Sequence, residues 1–268
     1  MNPLKEFALL KLGRDGPVQA TDLVIEERPI AMVYNGVYHA LMMATPSDLI
    51  DFAYGFSLTE GLIDGAADLK VLEIVERSDG AIIEMALSDP HFARLAARRR
   101  SLLGSSGCGI CGSEALAGLP APADVGQIGL RVDSADIRRA FQALARAQIL
   151  NRQSGGVHAA AWIHSARMTV REDVGRHNAL DKLIGDQMRQ TRSEGFLLLS
   201  SRLSYELVYK AAVAKIAVVA AISAPTALAI ETAKRCGITL IGFARDEQMN
   251  VYCGAERVDA ALNPSDRL

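Results

Sequence analysis

Three short apolar runs, GFLLLS at 195–200, AVVAAIS at 217–223 and TLIGFAR at 239–245, constrain this chain most, because an amphipathic stretch separates each from the next. Runs of that length without alternation belong to strands covered on both faces, and the intervening helices supply the cover. Helices are predicted over 176–190, 203–214 and 226–236, so the second half reads as an α/β layered domain with a largely parallel sheet. Upstream of these runs, Ser134 can cap a helix carrying Ile137, Phe141, Leu144 and Ala145, and GGVHAAAWI and RMTV read as paired strands.

The first hundred residues follow another rhythm, mixed strand and helix. VIEERPIAMVYNGVYHALMMA holds two apolar runs around Asn35-Gly36, a hairpin turn because both residues tolerate positive φ, and VLEIVERSDGAIIEMAL repeats the pattern around Asp79-Gly80. Between them a helix is expected, with Thr45 as its cap, Pro46 in first position, Leu49, Phe52, Ala53 and Phe56 as its apolar stripe, and Gly61 at its end. DPHFARLAARRRSLL reads as a further helix with Pro90 in its first turn, and Arg98, Arg99 and Arg100 read as a solvated face.

Between about 104 and 130 the composition turns to Gly, Ser, Pro and small residues, as in an exposed connection. The chain therefore divides into an α+β domain over 1–103, a loop and linker over 104–130, and an α/β domain over 131–268. With 268 residues, half of them hydrophobic, it can fill a core without metal or disulfide staples. A net charge of −2 gives no general grip on nucleic acid, and no long apolar run marks a membrane span. The first residues lack signal-peptide order, so a reducing, cytoplasmic setting is expected, with the four cysteines as thiols.

Two of those cysteines, Cys108 and Cys111, lie three positions apart in SSGCGICGS at the start of the connection. A structural zinc site needs four ligands, and Cys236 and Cys253 stand alone elsewhere, so no zinc is expected. A thioredoxin-like couple belongs at a helix N-terminus after a strand, whereas here glycines flank each cysteine. That composition is the one expected of a mobile loop with accessible thiols. It suits a carrier whose thiolate accepts a sulfur atom as a persulfide and presents it elsewhere.

In a parallel sheet ligands bind beyond the carboxyl ends of the strands. Three segments answer to that position: SSRLS at 200–204, SAPT at 223–226 and ARDEQMN at 244–250. Arg202 and Arg245 give them fixed positive charge, and Ser223 and Thr226 can serve as ligands or as a helix cap. Their convergence points to an anionic, nucleotide-like ligand, although no Gly-x-Gly-x-x-Gly or Walker pattern is present. REDVGRHNALDKLIG at 171–185 is the densest chemical segment, open to two readings: an ion-pair network locking the turn at Gly175, or a ligand-positioning element. His158 reads as a core histidine at the start of a buried strand.

GCGICG, GGVHAAA, REDVGRHNALDKLIG, SSRLSYELV, SAPTALAIETAKRCGITLIGFAR and NVY, in this order, closely resemble the signatures of the FdhD-type formate dehydrogenase accessory sulfurtransferases. YNGVYHALMMATPSDLIDFAYGFSLTEGLI resembles the N-terminal stretch of that family, so the likeness spans about residues 22–258. The resemblance implies a carrier that takes sulfur from a cysteine desulfurase and passes it to the molybdenum of the bis-molybdopterin guanine dinucleotide cofactor, as formate dehydrogenase requires. It places the persulfide on Cys108, with Cys111 as second thiol, and cofactor contacts on Phe243, Ala244, Arg245, Asp246, Glu247 and Gln248. It also implies a homodimer and a C-terminal three-layer domain similar to cytidine deaminases. Deamination itself is disfavoured, since VHAAA lacks the glutamate of His-x-Glu and no Pro-Cys-x-x-Cys follows. The alternative is a chaperone that holds the cofactor, or the dehydrogenase catalytic subunit, without transferring sulfur. Ser201 and Lys215 stand where the family pattern has glycine, and each is expected to narrow the nucleotide pocket or shift a helix end.

Overall fold

A computed structural model of the chain describes residues 1–14, 16–104 (backbone alone beyond 96), 124–126, 129–165, 167–190, 194–245 and 248–259. The chain opens with a hairpin not among the expected elements: β1 (Leu4–Gly13) and β2 (Gly16–Ile25) pair antiparallel from Leu4↔Ile25 to Gly13↔Gly16. A four-stranded sheet follows in the order β4-β3-β6-β5, made of β3 (Arg28–Tyr34), β4 (Val37–Ala44), β5 (Leu69–Arg77) and β6 (Gly80–Leu87). Its two hairpins are joined by the parallel pair β3–β6. The first turns at Asn35-Gly36, both at positive φ, as the sequence requires.

Helix α1 (Leu49–Thr59) buries Leu49, Phe52, Ala53 and Phe56, and Gly61 at φ 65 closes it. Helix α2 (Asp89–Gly104) adds Leu95 to the same core. Thr45 does not cap α1, which starts behind Asp48 in the left-handed region. Tertiary structure claims Thr45 instead: its amide donates to Asp173 Oδ2 (3.0 Å), its Oγ1 accepts from the Val174 amide (3.1 Å), and its carbonyl accepts from Lys182 Nζ (2.9 Å).

The second half comprises β7 (Val132–Asp133), α3 (Ser134–Ala147), α4 (Ile149–Ser154), β8 (His158–His164), β9 (Arg167–Asp173), α5 (Arg176–Arg189), β10 (Phe196–Leu199), α6 (Tyr205–Val213), β11 (Val218–Ala221), α7 (Ala227–Arg235), β12 (Thr239–Arg245), β13 (Gln248–Cys253) and β14 (Val258–Asp259). Asp133, one residue before Ser134, caps α3 by accepting from the Ala135 amide. The six-stranded sheet runs β13-β12-β11-β10-β8-β9. It is mixed rather than largely parallel: β10–β11 and β11–β12 are parallel, while β8–β9, β8–β10 and β12–β13 are antiparallel. Short connections fold both edges back as hairpins, which allow antiparallel pairing alone. Neighbours on β8 face opposite sides, Trp162 toward Leu183 and Ile184 of α5 and Ile163 toward Ala140 and Ala143 of α3, so helices cover both faces.

Lys215 lies at φ 53 just past α6, with its amide and that of Ile216 donating to the Ala212 and Ala211 carbonyls. The helix end where the family pattern has glycine is thus formed by a lysine in the left-handed region, at the amino edge of β11 and away from the strand-end segments. Ser201 is buried, and its hydroxyl donates to the Arg202 carbonyl (3.0 Å).

Candidate functional site at the carboxyl edge of the central sheet

Two of the three strand-end segments are tied together by backbone alone. Leu203 and Pro225 form a bridge, the Leu203 amide donates to the Ala224 carbonyl (3.1 Å), and the Thr226 amide donates to the Leu203 carbonyl (2.9 Å). Strand β12 joins them where the Phe243 amide donates to the Ser223 carbonyl (3.2 Å). Gly242 permits that approach, because a Cβ there would stand 2.9 Å from Pro225 Cδ and 3.1 Å from the Ser223 carbonyl. Phe243 takes φ 52 at this junction.

In the third segment, ARDEQMN, Ala244 and Arg245 close β12 and Gln248 opens β13 opposite Arg245, so its described residues belong to paired strands. Ala244 is buried and Arg245 exposed, and with Ile222 and Arg138, Phe141 and Gln142 of α3 they line a cleft of about 170 Å³. Arg202 is exposed and Ser223 half-buried. Thr226 caps α7, its Oγ1 accepting from the Ala229 amide (3.2 Å), so that hydroxyl already has a structural partner. Cys108, Cys111, Asp246 and Glu247 lie outside the described residues.

Antiparallel pairing brings further groups to this edge. Since β8 runs against β10, its amino end lies here: the Ser200 amide donates to the Ala159 carbonyl and Ser200 Oγ accepts from the Ala159 amide (2.7 Å). His158, opposite Asp173 on β9, is half-buried at the rim rather than in the core. Arg176 and His177 follow in the first turn of α5, whose amino end lacks a side-chain cap. The amino end of α6 is likewise uncapped, and Ser204 Oγ there is buried without a hydrogen-bond partner. His177 Nε2 lies 2.7 Å from Glu206 Oε2 but without hydrogen-bond geometry. Burial first, and the Arg176 charge second, hold both His158 and His177 below the usual imidazole range, with Glu206 opposing this at His177. The edge therefore offers neutral imidazoles, uncapped helix amino ends and exposed guanidinium groups, a donor set suited to an anionic ligand.

The rest of the 171–185 segment is a lock between the two halves. Asp173 and Lys182 form a fully buried ion pair at 2.6 Å, and Asp173 also accepts from the Gly175 amide and Asn178 Nδ2. Arg171 bridges Asp51 of α1 and Asp186 of α5, and Arg189 takes the other Asp51 oxygen. Asp181 is held by Lys210 (2.8 Å) and Thr59 (2.8 Å), and burial raises its pKa despite both. Glu172 accepts from the Leu150 and Asn151 amides at the start of α4. Ion pairing thus accounts for most of this segment, leaving Arg176 and His177 at the edge.

Among the described residues one group has metal-ligand character, Asp64, Asp68 and His91. Its donors are engaged within the protein: Arg94 binds both Asp64 oxygens, the Asp64 and Gly65 amides donate to Asp68, and Ser88 meets His91 Nδ1. Asp64 is held down at about 2, chiefly by its hydrogen bond to Arg94.

Residues 25–259 match the FdhD/NarQ family model, and the chain belongs to that family. Proteins named sulfur carrier protein FdhD from Xanthomonas campestris pv. campestris are 49% identical over 93% of this chain and 90% of their own length. One of the same name from Bordetella petrii is 43% identical over 92% of this chain and 90% of its own. The fold is similar to that of a Desulfotalea psychrophila protein described as a formate dehydrogenase accessory protein, with a TM-score of 0.75 and 24% identity over 96% of this chain and all of that one.

Proposed function

We propose that this chain is a sulfur carrier that serves formate dehydrogenase. Its similarity along nearly its whole length to proteins named sulfur carrier protein FdhD carries the reading. Cys108 is the accepting thiol: its thiolate attacks the outer sulfur of a cysteine desulfurase persulfide, the desulfurase thiolate leaves, and Cys108 holds the sulfur as its own persulfide. Cys111 is the auxiliary thiol. The acceptor is the molybdenum of the bis-molybdopterin guanine dinucleotide cofactor, here a substrate, destined for the dehydrogenase catalytic subunit in the cytoplasm.

The guanine dinucleotide arms bind at the carboxyl edge of the central sheet. Support comes from its donor set, Arg202, Arg245, Ser223 and the uncapped amino ends of α5 and α6. Phe243, Ala244, Asp246, Glu247 and Gln248 complete the contact, while Thr226 contributes its backbone position, its hydroxyl being the α7 cap. We read 131–268 as a cytidine-deaminase-like domain, 1–103 as a smaller α+β domain and 104–130 as the connection that carries the two thiols. The test is formate dehydrogenase activity in cells carrying Cys108→Ala or Cys111→Ala. Loss of activity with Cys108→Ala supports sulfur transfer; full activity with both variants supports a cofactor-holding chaperone instead.

A further inference from the structure

Strand β8 carries His158 at the carboxyl edge of the sheet and His164 at the opposite edge, about 20 Å away at the usual rise of a strand. Beside His164 opens a cleft of about 460 Å³, within the ~300–1,000 Å³ of small-molecule sites. Its buried lining is apolar, with Val132, Ala140, Ile163 and Phe196. Its rim is charged. Arg131 and Arg139 there are neutralised by Asp259 and Asp136. Arg167 and Glu194 are exposed, and their side chains form no ion pair among the described residues.

His164 stands between those two. It faces Arg167 across the β8–β9 pair, and its Nδ1 donates to the Glu194 carbonyl. Gly195 lets β10 start this close to β8, because a Cβ there would stand 2.2 Å from the Ile163 carbonyl oxygen. A carbonyl only accepts, so Nδ1 carries the hydrogen and Nε2 is the acceptor of the neutral ring.

We infer that this cleft binds a zwitterion, an α-amino acid with an apolar side chain. The ligand carboxylate meets the Arg167 guanidinium, its ammonium group meets Glu194 and His164 Nε2, and its side chain lies on the apolar lining. A free cation and a free anion on either side of one imidazole match the two charges that an amino acid carries on one carbon. A simple anion would leave Glu194 opposing it, and a simple cation would leave Arg167 opposing it. The remaining rim charges are balanced and favour neither sign.

The test is titration of the full chain with L-leucine, followed by calorimetry and by the His164 imidazole resonances. Two analogues run beside it: 4-methylpentanoate, which lacks the ammonium group, and leucine methyl ester, which lacks the carboxylate. We expect L-leucine to shift His164 and each analogue to bind at least about tenfold more weakly, as loss of a charge-assisted contact implies. Arg167→Ala and Glu194→Ala, both changes of exposed side chains, each weaken L-leucine by a similar factor. No shift of His164 at about 10 mM L-leucine, equal binding of either analogue, or unweakened binding by either variant overturns the inference. The probe is not a nucleotide and Cys108 takes no part, so failure here is separable from failure of the sulfur-carrier reading.

Discussion

At the scale of single residues, the molecule turns on charges placed where water does not reach. Lys182 and Asp173 are both fully buried, and Thr45 joins them from the other half through its amide and carbonyl. Removing one partner of such a pair strands the other, so Lys182→Met is expected to lower stability by about 3–5 kcal/mol. Denaturant midpoints measure this, and a change below about 1 kcal/mol, the range of exposed pairs, would contradict the assignment. The two edge histidines act with the opposite sign from a salt-bridged imidazole. Burial lowers the pKa of His158 and of His177, so the stability linked to them is fully present above the unfolded value near 6.5 and is lost as pH falls through their lowered values. Imidazole titration by NMR should therefore find both below 6.5, and replacing both with Gln should flatten the acid side of the stability profile. Thr45 shows why residue roles are hard to read from sequence. Its position before a Pro and an apolar stripe reads as a cap, but its partners are about 130 positions away.

At the scale of elements, the two halves meet where α1 crosses α5, and glycines set the distance. A Cβ on Gly55 would lie 1.7 Å from the Asp181 carbonyl oxygen, and one on Gly185 would lie 1.9 Å from that of Asp51. Gly185→Ala therefore cannot be absorbed by moving a side chain, since the obstacle is backbone. Its expected cost is at the upper end of overpacking, about 3 kcal/mol, with a thermal midpoint several degrees lower. A variant as stable as the parent would show that the helices do not cross this closely. Local signals predicted the elements well where the code is local, as in the Asn35-Gly36 turn and the apolar strands with their helices. The same strand ends point to the carboxyl edge. His158 reaches this edge because β8 is antiparallel and presents its amino end there, and Arg176 and His177 reach it because they follow the carboxyl end of β9, the strand paired with β8. Pairing direction was the missing information. The hairpin signal between RMTV and the strand before it contained it.

At the scale of the whole molecule, two apolar cores, one gathered by α1 and the first sheet and one by the six-stranded sheet, share Leu58 and Met188 and are clamped by the Arg171, Asp51, Asp186 and Arg189 cluster. Thr45, bonded to Asp173 and Val174, fixes the N-terminal half against the turn that carries Arg176 and His177, while the named groups of the edge proposed for the nucleotide come from the second half. The β1–β2 hairpin was not legible in the sequence, because its apolar residues lie on both faces and give no alternating pattern. GCGICG lies outside the described residues, and its reading as a carrier loop rests on its flanking glycines and on the lack of further ligands in the sequence. The central claim rests on its first thiol. Mass spectrometry of the protein after incubation with a cysteine desulfurase and cysteine tests it most directly, with Cys108→Ala and Cys111→Ala alongside. The account predicts a gain of one sulfur atom on the peptide holding Cys108, lost in Cys108→Ala and kept in Cys111→Ala; equal loading of Cys108→Ala would contradict it.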